Sequence, residues 1–306
     1  MLTCDDYLTP TTLAAAFDAI ERNAGRHRLI AGGTDLLSWA REGRAGDVHV
    51  PVLIDVTRIP ELCERRVGAE RVRFGAATPI ARFLDDRALA AAVPSMAFSA
   101  DWFACGQIRE QATVGGNLVN ASPAGDAIPP LLAQSAEVEL AARVDGEIRL
   151  RRLPLSDFLV SSGRTRLGEN EILTAIECDA LPGRGAAYEK VGHRRSLVIS
   201  VVCLAVVVEL DASRRRFADV RLALGGVGPV ARRLHAVEDF LKGGPIDRER
   251  LEAAAEMPLD FVQSRSRRAY RREVVRGFVV RGLVNALKRA DVADGVVEPE
   301  LEAVYA

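Results

Sequence analysis

Residues 113–126, Thr113-Val114-Gly115-Gly116-Asn117-Leu118-Val119-Asn120-Ala121-Ser122-Pro123-Ala124-Gly125-Asp126, are the stretch on which the fold reading turns. A glycine pair lets successive backbone N–H groups point at one spot with no Cβ in the way, which suits phosphate oxygens. Thr113 and Asn117 flank the pair as side-chain hydrogen-bond partners, and Asp126 follows at a distance that lets a carboxylate reach a sugar hydroxyl. Taken alone, the stretch reads equally as a polar loop rich in turn residues. Its neighbourhood decides between the two.

Upstream stands a second glycine pair, in Ala31-Gly32-Gly33-Thr34-Asp35. It follows a short strand expected at 28–31 and opens a helix expected at 36–41, where Thr34 and Asp35 are good N-terminal residues. A helix N-terminus adds partial positive charge to the open amides of such a turn. One strand-to-helix glycine pair is usually only a tight turn. Two pairs in one chain match a ligand with two phosphates.

Working outward, Leu13, Phe17 and Ile20 recur at helical spacing after Pro10, read as a first-turn proline, and 52–56 completes a strand, helix, strand unit. Val72 and Phe74 alternate as a strand does, Thr78-Pro79 reads as the cap and first turn of a helix, and 94–103 reads as helical. A turn is expected around 114–117, with strands near 137–141, 147–150 and 171–177. The loose stretch 180–187, ALPGRGAA, is the expected domain boundary. Beyond it, 198–210 and 217–224 read as an antiparallel hairpin, the apolar run from Leu197 to Leu210 as one long buried strand interrupted by Ser200 and Glu209, and the rest from Leu234 as helical. The domains expected are 1–177, in lobes of about 1–58 and 59–177, then 186–292, then a tail at 293–306.

Composition excludes several classes of function. The chain has 306 residues, 48% hydrophobic and 27% charged, with a formal net charge of -1, so no basic field attracts nucleic acid or an anionic membrane. Its start, MLTCDDYLTP, lacks the basic and apolar segments of a signal peptide, and the longest apolar run is too short to span a bilayer, which favours a cytoplasmic protein without membrane insertion. The cysteines, Cys4, Cys63, Cys105, Cys178 and Cys203, are odd in number with no C-x-x-C pair, and the four histidines are scattered, so no metal site or iron–sulfur cluster of the chain's own is expected. Gly226-Val227-Gly228-Pro229-Val230-Ala231 fits G-x-G-x-x-A, yet Pro229 removes an N–H and the preceding strand reads as antiparallel, so it is expected to be an ordinary turn. The arginine run 265–272 reads as solvated or subunit-facing surface.

The segments AGGTDL (31–36) and TVGGNLVNASPAGD (113–126), with Phe103 before the second, resemble the FAD-binding medium subunit of the xanthine dehydrogenase and carbon monoxide dehydrogenase family of molybdenum hydroxylases. The likeness runs on through Glu171-Ile172-Leu173 and Tyr188-Glu189-Lys190 and covers nearly the whole chain. It departs from the family's usual pattern at Cys105 and Glu110, neither of which removes a backbone donor.

The resemblance implies an α+β fold, with a two-lobed PCMH-type FAD-binding domain followed by a C-terminal antiparallel-sheet and helix domain. It implies that Leu29, Ile30, Ala31, Gly32, Gly33, Thr34, Asp35 and Leu36, with Thr113, Val114, Gly115, Gly116 and Asn117, wrap the diphosphate and ribityl chain. Asp126 would meet the sugar region, Phe103 the adenine side and Leu173 the isoalloxazine. Lys190, one of three lysines, would stand near the ring's polar edge, with Tyr188 close by. It further implies an oxidoreductase subunit with no acid–base catalytic residue of its own, beside a large molybdopterin-binding subunit and a small subunit with two-iron clusters, as a dimer of heterotrimers. A stand-alone FAD-dependent oxidoreductase with its own substrate site is the alternative, and a nucleotide-binding scaffold without redox function is a third. The substrate of the complex and the terminal electron acceptor are not written in these residues.

Overall fold

The computed structural model describes residues 1–194, 197–264 and 266–292. The tail expected at 293–306 lies outside the described residues, as does position 265 of the arginine run. The first lobe runs β1 (Asp6–Leu8), α1 (Leu13–Arg22), β2 (His27–Ile30), α2 (Thr34–Arg41) and β3 (Val52–Asp55). Its sheet is parallel, in the order β1-β3-β2, with Leu29 opposite Ile54 and Leu8 also opposite Ile54. α1 forms because Leu13, Phe17 and Ile20 bury one face and the Thr12 hydroxyl accepts a hydrogen bond from the Ala15 N–H at 3.1 Å. Pro10 therefore lies outside the helix, which Thr12 starts instead.

The second lobe is built on an antiparallel sheet ordered β4-β5-β10-β6-β7. The chain enters it through β4 (Arg65–Val67) and β5 (Arg71–Gly75), then makes short helices: α3 (Arg82–Asp85), α4 (Arg87–Ala92), α5 (Pro94–Trp102), α6 (Gly106–Gln111), α7 (Val114–Asn120) and α8 (Ile128–Ala133). It returns through β6 (Glu137–Val144), β7 (Glu147–Pro154), α9 (Leu155–Phe158), the small ribbon β8 (Leu159–Ser161) with β9 (Arg164–Thr165), and β10 (Glu171–Asp179). Two expectations fail here. Thr78-Pro79 opens no helix, because Pro79 lies in an antiparallel bridge opposite Thr113 and the next helix starts at Arg82. Residues 114–117 are the first turn of α7 rather than a loop, because the Thr113 hydroxyl accepts from the Gly116 N–H and caps the helix.

The C-terminal domain carries a four-stranded sheet, β11 (Gly185–Val191), β12 (Val202–Leu210), β13 (Phe217–Gly225) and β14 (Arg232–Arg233), all antiparallel neighbours. α10 (His235–Leu241), α11 (Arg248–Glu256) and α12 (Arg268–Arg289) pack on it. The hairpin of β12 and β13 is the one read from the sequence, but its first strand starts only at Val202, and Ile199 ahead of it is 78% exposed. β11 begins inside the stretch 180–187 expected to be a linker and runs on to Val191. One of its faces, with Ala186 and Tyr188, joins the core of the second lobe, while Ala187 joins the core under α12. The turn at Gly226, φ +82°, leads into no parallel unit, so the G-x-G-x-x-A segment is an ordinary turn. Among the described residues no helix is long and apolar enough to cross a membrane, and no three His, Cys, Asp or Glu side chains are placed to hold a metal ion.

Candidate functional site: a seam between two glycine turns

The two glycine motifs meet. A Cβ on Gly32 would stand 1.8 Å from the Gln111 carbonyl oxygen, so the turn after β2 presses directly on the backbone between α6 and α7. Three residues further on, the Asp35 carboxylate accepts a hydrogen bond from the Asn120 amide at 3.1 Å, joining the start of α2 to the end of α7. Burial pushes the Asp35 carboxyl above its ordinary value. A groove of about 710 Å³, within the range typical of cofactor sites, opens between the lobes and is lined by Ile30, Ala31, Gly32 and Gly33 on one wall and by Thr78 and Thr113 on the other.

The pairs differ in what their amides do. Gly33 takes a left-handed φ of +67° to turn the strand into α2. The N–H groups of Gly32 and Gly33 reach no acceptor among the described residues, and those of Thr34, Asp35 and Leu36 lie in the first turn of α2, where a helix supplies none. In the second motif the amides of 114–117 are committed. Val114 N–H donates to the Thr78 carbonyl at 3.0 Å, Gly115 to Ala76 at 2.8 Å, Gly116 to the Thr113 hydroxyl at 3.0 Å, and Asn117 to the Thr113 carbonyl at 3.0 Å. Of the two pairs expected to offer amides, the second has its own bonded within the protein, while the first has no acceptor among the described residues.

The second pair offers shape instead. Gly115 is buried, and a Cβ there would stand 2.6 Å from the Ala76 Cβ and 2.7 Å from its carbonyl oxygen, so this glycine is required by packing. Gly116 is exposed, and a Cβ on it would meet only the Thr113 hydroxyl, at 3.0 Å. Its bare Cα leaves α7 open to a close approach from outside. The helix ends at Ala121, φ +46°, and the Asn117 side-chain oxygen accepts from the Ala127 N–H at 3.3 Å, pinning the loop that carries Asp126.

Asp126, Tyr188 and Lys190 come together away from that groove. The Asp126 carboxylate accepts from the Tyr188 hydroxyl at 2.8 Å, the Ser200 hydroxyl at 2.6 Å and the Lys190 ammonium at 2.6 Å. Lys190 also donates to the Trp102 carbonyl at 3.3 Å, beside Phe103. Burial first, and the Asp126 charge second, hold the Tyr188 phenol well above its ordinary value, so it remains a donor. The same two causes push the neighbouring Cys203 thiol up to about 12, which leaves it unreactive.

Phe103 is partly buried against the second-lobe core at the end of α5, and Leu173 is buried in β10 just before a register shift. Leu29 packs against the cluster under α1, which also takes in Ala141 and Ile172 of the second lobe, and Leu36 lies in the small cluster with Leu53. Sequence reasoning missed Ser200, Asn120 and Gln111. Only Ser200 left a signal, as a hydroxyl inside an otherwise apolar run.

Residues 3–178 match the family described as FAD binding domain in molybdopterin dehydrogenase, and residues 186–286 match the CO dehydrogenase flavoprotein C-terminal domain. The chain is 28% identical over 263 residues to the xanthine dehydrogenase FAD-binding subunit of Escherichia coli O157:H7, covering 85% of this chain and 87% of that one. It is 32% identical over 251 residues to the nicotine 6-hydroxylase medium subunit of Paenarthrobacter nicotinovorans, covering 82% and 84%. Its fold superposes on a chain of carbon monoxide dehydrogenase from Hydrogenophaga pseudoflava with a TM-score of 0.85 at 27% identity, over 94% of this chain and 99% of the other.

Proposed function

Because the chain belongs to the family of FAD-binding domains of molybdopterin dehydrogenases, we propose that it is the subunit that moves electrons from iron–sulfur clusters of a partner to an external acceptor. It is a flavoprotein of the molybdenum hydroxylase family, and its cofactor is FAD. The observation that carries the reading is the glycine pair Gly32-Gly33 lining the interlobe groove with unbonded amides at the start of α2, opposite Thr113, the cap of the helix that carries the exposed Gly116. A flavin diphosphate fits such a place, since it needs donors, a helix N-terminus and room for close approach.

In this proposal the amides of Gly32 to Leu36 bind the diphosphate, Thr113 and Asn117 add side-chain contacts, and Val114, Gly115 and Gly116 keep the wall flat. Leu29, Ile30 and Ala31 shape the strand that delivers the turn. Phe103 and Leu173 line the ends of the cofactor's path, while Asp126, Tyr188 and Lys190 act at the C-terminal domain. When bound, FAD supplies the exchange between one-electron and two-electron carriers. The chain's own residues hold and orient it. No side chain here is assigned to acid–base catalysis.

The partners in the proposal are a molybdopterin-binding large subunit and a small subunit with two-iron clusters, in a dimer of heterotrimers in the cytoplasm. The domains would be 1–177 and 186–292. Co-purification of the native complex, with analysis for FAD, molybdenum and iron, tests this directly. Stoichiometric flavin together with both metals is expected. A chain that purifies alone and is reduced rapidly by a small organic substrate would instead be a self-sufficient oxidoreductase.

A further inference from the structure

Among the described residues, the three side chains that bond the Asp126 carboxylate come from the C-terminal domain: Tyr188 and Lys190 from β11, and Ser200 from the approach to β12. The carboxylate is presented by the 121–127 loop of the second lobe, which Ser99 holds through the Asp126 carbonyl at 2.7 Å and Asn117 through the Ala127 N–H. Lys190 is closed off from water, with its side chain 2% exposed against 11% for Asp126. Its second bond, to the Trp102 carbonyl, reaches the end of α5. Directly or through Lys190, the carboxylate thus joins its own loop to β11, the approach to β12 and the end of α5. Close by, the Gly226 N–H donates to the Pro123 carbonyl at 2.7 Å, a further bond from the C-terminal domain to the same loop.

A buried ion pair often contributes little to stability beyond what apolar residues of the same size would give, so its role here is sought in the arrangement it fixes. With its oxygens already facing three donors, the Asp126 carboxylate is directed at the other domain, and the loop that carries it is tied through Asn117 to the helix bearing Gly116. The geometry points to Asp126 as a positioning residue: it clasps the C-terminal domain onto the cofactor-binding segment 113–127 and acts on the cofactor through Lys190, Tyr188 and Ser200. This rests on the proposed FAD site and adds a role that contact with the cofactor's sugar would not supply. Breaking the clasp would leave the amides of 32–36 intact yet free the wall opposite them.

A double-mutant cycle on the full chain tests it, using Asp126→Asn, Lys190→Met and the pair. Each variant is stripped of flavin, shown to be folded by far-ultraviolet circular dichroism and titrated with FAD. Two residues sharing one role give single variants that each weaken FAD about tenfold and a double variant no worse than the worse single. Factors that multiply to about a hundredfold would mean independent contacts, and would overturn the clasp.

If a single variant strands a buried charge and does not fold, Tyr188→Phe and Ser200→Ala each remove one donor and keep the ion pair. The clasp predicts that each lowers FAD affinity about two- to threefold, as the loss of one hydrogen bond does, and alters the visible circular dichroism of the bound flavin. Unchanged affinity and an unchanged spectrum in both would overturn it. A wild-type chain that takes up no FAD would remove the cofactor reading and the clasp together, whereas wild-type uptake with multiplying factors removes the clasp alone.

Discussion

Gly32-Gly33 and Gly115-Gly116 look interchangeable as sequence, yet the chain uses them in opposite ways. The first pair sits where a strand has run out of partners and a helix has not begun, so its amides and those of the next residues stay open. The second pair lies inside a helix whose first turn is bonded to Ala76, Thr78 and Thr113, so its amides are spent on holding α7 against β5 and the loop after it. One pair presents donors and the other presents absence of bulk. Within each pair the glycines divide again: Gly32 and Gly115 are required by packing, Gly33 by its φ, and Gly116 by neither.

Substitutions can break this comparison at each point. Gly32→Ala places a methyl into the Gln111 carbonyl, backbone against backbone, and should cost more than ~3 kcal/mol because neither lobe can yield. Urea unfolding would read it, together with loss of flavin. Gly116→Val should leave the urea midpoint almost unmoved but weaken FAD at least about a hundredfold, or ~2.7 kcal/mol, as measured by flavin fluorescence quenching. Near-normal flavin occupancy in that variant would mean that no cofactor approaches α7 there.

Gly33→Ala keeps the space but forces an alanine to φ +67°, costing about 1–2 kcal/mol in thermal or urea unfolding. The smallest effect belongs to Thr113→Ala, which removes the cap of α7 for about 1 kcal/mol, with Thr113→Ser restoring most of it. Equal losses from Gly32→Ala and Gly116→Ala would erase the distinction between the packing glycine and the open one.

Much of this was legible in the residues. The α+β character, the Gly32-Gly33 turn, the strand and helix around 27–41 and the β12–β13 hairpin follow from periodicity and turn chemistry, and the resemblance of 31–36 and 113–126 supplied the family. What escaped did so for local reasons. α7 contains two adjacent glycines, poor helix formers, and exists because Thr113 caps it and Ala76 and Thr78 accept its first amides.

β11, GAAYEKV, has small and charged residues where a strand usually shows β-branched ones. It is buried on both faces because one domain covers each: Glu189 meets Arg281 and Asn285 of α12, while Lys190 meets Asp126. No pattern within seven residues announces a partner sixty positions away, as Tyr188 and Asp126 are at a separation of 62. The commitment of the second pair's amides was equally hidden, since their acceptors lie in a bend after β5 that reads in the sequence as the start of a helix.

The division of labour between the two turns is tested most directly by a crystal structure of the flavin-loaded chain, measuring the distances from the diphosphate oxygens to the backbone nitrogens of both motifs. The account predicts oxygens within about 3.2 Å of at least two nitrogens among residues 32–36, with the Gly115 and Gly116 nitrogens still bonded to Ala76 and Thr113. Diphosphate oxygens bonded to the Gly115 and Gly116 amides, with those of Gly32 to Leu36 left facing solvent, would contradict it.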